Sequence, residues 1–504
     1  MSERLTIVFQ STATLPVWAQ RAAMTRALAL PIQLSELQNS ACSLDLTSAD
    51  HEAIQYFRTT FARIHHTKNP DYSLFSIIFT IAEREPMVMR VLLALGGQEM
   101  EWRRNSDTDD SDQLNGCSAR DGDSPSWTPI QHYSAALRLL ADALGSGDDG
   151  QQLDLDTICT TLYLMLVYEQ KYGDAACSGL SNHPAGAALI VKHRCQNLRL
   201  QIASQDRHKT PVLTSQYQST VSKEQPQEIW SLLLTRLLVW IALIDSAAAA
   251  FGVGGQFNRD LASILGPEDP SPLNGFDNLH RFTNALYRMM WAESYPQEEL
   301  LDDVENRDIF AFLCACMQLR FMVADLGHLD SQAVRQNLPV INSAFQQFDQ
   351  QYGEMLEVAA KISPATDNSR RLVANIRAFT PIYHAVKLEL MRTCQSVGVA
   401  IGMDIVPAAH MKHILDLAVQ AYKHQGDDAM VRIAWPLFVV CLETDDQRHR
   451  AWILGVFRGI SRYGKNHSRA FQFLQEAIEL RDCLGEKINV REHIEATRGE
   501  LFVI

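Results

Sequence analysis

Val431-Arg432-Ile433-Ala434-Trp435-Pro436-Leu437-Phe438-Val439-Val440-Cys441-Leu442-Glu443 is the stretch on which the fold turns. A helix built on it is apolar around nearly its whole circumference, and such a helix belongs in a core. Pro436 lacks a backbone donor and disfavours the α region at Trp435, so a kink or a fresh helical start is expected at Trp435-Pro436. Downstream, Thr444 and Gln447 have capping-box spacing, and Asp445 and Asp446 stand where they complement the positive end of the next helix. That helix carries Arg450-Ala451-Trp452 and then Ile453, Val456, Phe457, Ile460 and Tyr463 on one apolar stripe. Trp435, Pro436, Leu437 and Trp452 are expected to be core residues.

The same helical grammar extends outward in both directions. Thr47-Ser48-Ala49-Asp50 reads as a capping box, followed by Ile54, Phe57, Phe61 and Ile64 on one face. Asn69-Pro70 and Pro86 each place Pro at a helix start, and the helix from Pro86 is expected to end near Trp102. Thr128-Pro129 opens another, ended by Gly145, and Gly173 stands at the C-cap of a helix from Leu155 to Tyr172. Further helices are expected at 183–200 and near 276–293, 305–326, 333–361, 369–396, 408–424, 428–443, 446–463 and 467–483. No stretch has sustained period-two alternation and no fixed-length repeat is visible. The expected fold is all-α: a loosely structured lead-in over 1–44, broken by Pro16 and Pro31, then one helical body over 45–504. Two polar segments, 103–127 and 203–227, are expected to be flexible insertions; the first is rich in Asp, Ser and Gly and carries too little apolar surface to order itself.

Composition narrows the class. The chain has 504 residues, 46% hydrophobic and 21% charged, ordinary values for a soluble globular protein. A net charge of -14 argues against the chain as a whole clamping phosphates. The 10 cysteines are scattered, several inside apolar helical patterns where a thiol acts as a small hydrophobe, which suits a reducing compartment. The longest apolar run, Leu232 to Phe251, contains Arg236 and Asp245 half a turn apart, so it is expected to be a buried helix and not a membrane span. No basic segment precedes an apolar run near Met1, so no secretory signal is expected.

Four stretches, taken in order, resemble one family. Trp435-Pro436-Leu437-Phe438, the acidic turn and Arg450-Ala451-Trp452 resemble the C-terminal end of the fungal-specific transcription factor domain, the all-helical regulatory region found behind fungal binuclear zinc clusters. Pro86-Met87-Val88-Met89-Arg90-Val91-Leu92-Leu93-Ala94-Leu95 resembles an early helical segment of it. His183-Pro184-Ala185-Gly186-Ala187-Ala188-Leu189-Ile190 is similar to its middle His-x-x-Gly-Ala helix, and Arg236 to Asp245 to its Arg-x-x-x-Trp-x-x-x-x-Asp helix. The likeness spans about Asp45 to Cys483. It implies residence in the nucleus and control of a gene set, often a biosynthetic pathway such as a secondary-metabolite cluster.

The family's zinc cluster needs Cys-x-x-Cys pairs in a basic setting, and the chain has no Cys-x-x-Cys. Cys314 and Cys316 are two apart and point to different sides of a helix. His410 and His413, with Asp416 one turn on, have a spacing that can ligate metal, but Lys412 among them fits a solvated polar face equally well. Asp302-Asp303-Val304-Glu305-Asn306 approaches the magnesium motif of helical terpene cyclases, lacks its last Asp, and reads better as an acidic helix N-terminus. Gly252-Val253-Gly254-Gly255 follows a helix, where a phosphate loop would follow a strand, and is expected to be a turn. No catalytic, cofactor or metal residue is assigned, and the chain is not read as an enzyme. The reading is a transcription regulator without its own zinc cluster, acting through a DNA-binding transcription factor or coregulator protein. It makes no sequence-specific DNA contact and engages no membrane. Met1 opens on non-basic sequence, which also fits a truncated zinc-cluster factor; the resemblance, to a family that includes sterol-sensing regulators, implies as the alternative that its helical domain senses a small apolar ligand, sterol- or metabolite-like, in a cavity that Trp230, Trp240, Met289, Met290 and Trp291 could line.

Overall fold

A reciprocal cap opens the helical body in the computed structural model, which describes residues 44–108, 127–145, 155–194, 232–265, 273–366, 370–485, 490, 493 and 500–504. Residues 1–43, 109–126 and all of 203–227 lie outside the described residues, and with them the expected lead-in and most of the expected insertions. At the cap the Thr47 hydroxyl accepts from the Asp50 amide at 3.2 Å, and the Asp50 carboxylate accepts from the Thr47 amide at 2.8 Å. Helix α1 (Ser48–Tyr56) passes through a π-helical turn, Phe57–Phe61, into α2 (Ala62–His65). The Phe57 and Phe61 rings stack at 5.0 Å inside that turn, and Ile54, Phe57, Phe61 and Ile64 are all buried, the face expected from their spacing. Asn69 caps only a single 3-10 turn, Pro70–Tyr72, and α3 (Leu74–Ala82) begins after Ser73.

Helix α4 (Pro86–Thr108) starts where expected and ends six residues past Trp102. The extra turns are held from outside the helix. The Trp102 indole donates to the Ser461 carbonyl at 2.9 Å, and the Arg103 guanidinium donates to the Tyr56 hydroxyl at 3.0 Å. Then come α5 (Pro129–Gly145), α6 (Leu155–Tyr172) and α7 (Ser178–Arg194), which starts before the expected His183.

Helix α8 (Leu232–Ala249) buries both of its charges. Arg236 donates to the Thr283 carbonyl at 3.1 Å. Asp245 accepts from the Gly255 amide at 2.8 Å and from the Asn258 amide and side chain at 2.9 and 2.8 Å, which folds the Gly252–Gly255 turn back on α8 and starts α9 (Gln256–Leu265). Gly255 has φ +98°, a conformation that favours glycine, so this glycine-rich segment is the expected turn.

The helix expected over 276–293 is interrupted: α10 (Asn274–Phe282), a 3-10 turn at Thr283–Ala285, and α11 (Leu286–Trp291), which ends at Ala292 with φ +46°. The helix expected over 305–326 is two: α12 (Gln297–Glu305) and α13 (Arg307–Leu326), divided at Asn306, whose side chain donates to the Asp302 carbonyl at 2.8 Å and so caps the end of α12. The chain continues through α14 (Ser331–Lys361), α15 (Arg371–Ser396), α16 (Pro407–Gln425), α17 (Asp427–Glu443), α18 (Gln447–Ile460) and α19 (Lys465–Leu484). No strand occurs among the described residues, and the all-α expectation holds.

Helix α17 runs through Pro436 without a fresh start, and every residue from Ile433 to Glu443 is buried. The cap of α18 falls on Asp446, whose carboxylate accepts from the Arg448 amide at 2.7 Å, and not on Thr444. Thr444 serves as an anchor: its carbonyl accepts from Arg450 at 2.9 Å and from Arg481 at 3.2 Å. Trp435, Pro436 and Leu437 are in the core as expected, but Trp452 is half-buried on the flank of its helix, edge-on to Tyr422. The stripe Ile453, Val456, Phe457, Ile460 and Tyr463 faces inward instead.

Helix α15 is the hub of the second half, packed against α13, α16 and α17, while α8 bridges α6 to α13 and α19 packs back on α6. One apolar core therefore runs from Ala53 to Ile504. Helices α8 and α13 are long and apolar enough to cross a membrane and are 89% and 78% buried within this core. Cys177, Cys314, Cys316, Cys394 and Cys441 are buried free thiols, and burial pushes Cys314 and Cys441 up to about 12. They pack as small hydrophobes; Cys42, Cys117 and Cys195 lie outside the described residues.

Candidate functional site

The acidic motif Asp302-Asp303 does not open a helix but lies in the last turns of α12. Lys68, whose side chain is fully buried, reaches across from the N-terminal helices and pairs with Asp303 at 2.6 Å and Glu299 at 2.9 Å. Arg371 at the start of α15 pairs with Asp302, and the Tyr295 hydroxyl donates to Asp303. Protein cations thus sit against these carboxylates, and the motif clamps the start of the chain to α12 and α15.

The structure joins His410 and His413 to a third ring that spacing alone did not indicate, His384 on α15. The Nδ1 atoms of His384 and His410 are 2.9 Å apart, and His384 stacks on His413 with ring centres 4.8 Å apart. Burial holds His384 well below its ordinary pKa and His410 down at about 4, so both rings are neutral near pH 7 and share one hydrogen between their Nδ1 atoms. Asp416 is turned away, paired with Lys412 at 2.6 Å. Among the described residues no group of three or more His, Cys, Asp or Glu is arranged to hold a metal ion.

The feature with binding geometry lies under the stretch that organises the fold. A cavity of about 230 Å³ opens between α8, α13, α15 and α17, with walls from Trp240, Ile244, Met317, Ile382 and Pro436. A second, of about 330 Å³, lies beyond Trp435 and Arg320, which line both. The Arg320 guanidinium lies 3.7 Å over the Trp435 ring, and its Nη2 donates to the main-chain oxygen of Ile504 at 3.2 Å. Burial draws Arg320 down to about 9, which leaves it charged near pH 7. Around the second cavity Arg392 bonds both Glu389 and Glu443 at 3.1 Å, so its carboxylates are engaged.

At the far end of the first cavity sit His66 and Arg432. Arg432 donates to the Ile64 carbonyl at 2.6 Å and to the Gln425 side chain at 2.7 Å. His66 is held well below its ordinary pKa by burial, with Arg371, Lys68, Arg236 and Arg432 adding repulsion. It is therefore a neutral ring in a cationic neighbourhood.

Of the residues expected to line a ligand cavity, Trp240 does so. Trp291 is buried against Tyr295 and Tyr72, Met289 is exposed, Met290 packs on the core, and Trp230 lies outside the described residues. The sequence reading missed Arg320 and Arg432. The available signal was a lone cation inside each apolar helix: Cys314-Ala315-Cys316-Met317-Gln318-Leu319-Arg320-Phe321-Met322-Val323, and Arg432 beside Ile433-Ala434-Trp435. A charge that far inside an apolar helix calls for a partner or a ligand.

The described residues thus form an all-helical body with an apolar cavity between α8, α13, α15 and α17. The chain belongs to the fungal specific transcription factor domain family, whose pattern matches residues 52–489. The four stretches that resemble the family all fall inside that match. No curated protein and no solved structure matches the chain. Membership of this family gives the chain a role in transcriptional regulation.

Proposed function

We propose that the chain regulates transcription of a gene set, in the nucleus, by binding a DNA-bound partner protein and not by reading bases itself. The family match over 52–489 carries this reading. Two features of the chain support the dependence on a partner: its 504 residues contain no Cys-x-x-Cys, and its net charge of -14 opposes phosphate. A biosynthetic gene set is the target class that the family suggests. In a gel shift at physiological salt, the purified chain alone is expected to give no sequence-specific band, having no Cys-x-x-Cys pair to build a zinc module that places a helix in the major groove and a net charge of -14 that opposes phosphate. Sequence-specific binding at nanomolar protein would overturn partner dependence.

A second reading, that the domain responds to a small apolar molecule, is favoured by the cavity between α8, α13, α15 and α17. At about 230 Å³ that cavity falls below the range of roughly 300–1,000 Å³ usual for drug-sized ligands, so the favoured ligand is slimmer than a sterol.

A further inference from the structure

The unpartnered side-chain polar atoms around this cavity are of one kind. Its walls are apolar, yet three buried polar atoms on residues lining it have no partner: His66 Nε2, Arg320 Nε and Arg432 Nε. All three are donors. A guanidinium has no acceptor, and the His66 Nδ1 already accepts from the Lys68 amide at 3.2 Å, so the hydrogen of the neutral ring is on Nε2. No unpartnered buried side-chain acceptor belongs to a described residue that lines the cavity.

Charge at the His66 end is mostly positive. Lys68 and Arg371 are matched by the α12 carboxylates, whereas Arg432 hydrogen-bonds only a carbonyl and an amide oxygen, with the Asp428 carboxylate one turn back on α17 acting on it electrostatically, and Arg236 bonds a carbonyl. A water molecule satisfies a donor without neutralising a guanidinium, and a buried cation with no anion in hydrogen-bond contact is unfavourable.

Resting on the reading that the domain binds a small molecule, we infer that the cavity takes a slim apolar acid, its carboxylate against His66 Nε2 and Arg432 Nε and its hydrocarbon part along Trp240, Met317 and Ile382. The acid supplies acceptors to the unpartnered donors and a negative charge in direct contact with Arg432, and the hydrocarbon fills the apolar remainder. An alcohol of the same length offers one acceptor and no charge, and an alkylammonium adds a cation where cations already crowd.

The test uses the full chain and three probes of equal length: dodecanoate, dodecan-1-ol and dodecylammonium, each titrated calorimetrically below its aggregation limit at pH 7.5. Dodecanoate is expected to bind one per chain, at least about 10-fold tighter than dodecanol, from the strength of a charge-assisted hydrogen bond, and dodecylammonium not at all. In Arg432→Met, checked for helical content by circular dichroism, the preference for dodecanoate over dodecanol should fall to near unity. His66→Phe, which keeps the ring and removes the donor, should lower it several-fold. Equal binding of acid and alcohol by the parent chain, or an undiminished preference in a folded Arg432→Met, overturns the anion site and leaves the small-molecule reading standing. Should neither Arg432→Met nor His66→Phe fold, the ranking of the three probes on the parent chain decides alone. No binding of any probe overturns both.

Discussion

Glu99→Gln is expected to destabilise the chain by about 3–5 kcal/mol, the cost of leaving a buried charge without its partner. Glu99 is fully buried on α4, and its carboxylate bonds Lys171 and His65 at 2.9 Å each and accepts from the Tyr56 hydroxyl at 3.1 Å. Lys171, itself buried, also donates to the Tyr463 carbonyl at 2.8 Å, so this ammonium ties α6 to α4 and to the turn after α18. An amide at position 99 leaves the ammonium inside the core without a counter-ion. The denaturant midpoint should drop with an unchanged slope. The double variant Glu99→Leu with Lys171→Met should recover much of the loss, because an apolar replacement has no charge to desolvate.

The same network fixes a pH response. Burial alone would raise the Glu99 pKa, but Lys171 and His65 overcome it and hold the group well below its ordinary 4.5. Burial draws Lys171 the opposite way, downward, against the pull of Glu99. The pair is ionised near pH 7, and Glu99 governs the response to acid. A carboxyl whose folded pKa is depressed stabilises fully above its unfolded pKa, and the contribution disappears as pH falls toward the folded value. The gap between parent and Glu99→Gln should therefore close as pH falls below 4.5.

Trp435→Ala is the second large effect, again about 3–5 kcal/mol, the range for truncating a buried large aromatic. Trp435 is 5% exposed, supports the Arg320 guanidinium at 3.7 Å, and separates the two cavities. Its loss removes apolar burial, joins two voids and leaves a cation over empty space. Trp452→Ala should cost markedly less, since that ring is half-buried. An unchanged urea midpoint for Trp435→Ala would place position 435 on the surface and remove the organising role of α17.

Most helices were legible because their stop and start signals are local. The Thr47/Asp50 cap, the prolines at 86 and 129 and the inward stripe of α18 depend on neighbours a few residues away. The misses have long-range causes. Helix α4 outlasts its expected end because Ser461 and Tyr56 hold Trp102 and Arg103. The division between α12 and α13 depends on Asn306, whose side-chain oxygen accepts from Asn375 at 2.7 Å, 69 residues away. The His384 partner of His410 is 26 residues distant, and its ring gave no sign in sequence of facing that helix. The cavity was beyond reach for the same reason. Its donors come from a loop after α2, from α13 and from α17, and only the placing of Arg320 and Arg432 inside otherwise apolar runs hinted at it.

The central claim, that this helical body regulates transcription, is tested most directly by tethering. The full chain, fused to a DNA-binding domain of known site and expressed in fungal cells carrying that site upstream of a reporter, is expected to change reporter output several-fold relative to the DNA-binding domain alone. Trp435→Ala in the same fusion should abolish the change by unfolding the body. A reporter that ignores the folded, nuclear fusion at equal protein level would contradict the account.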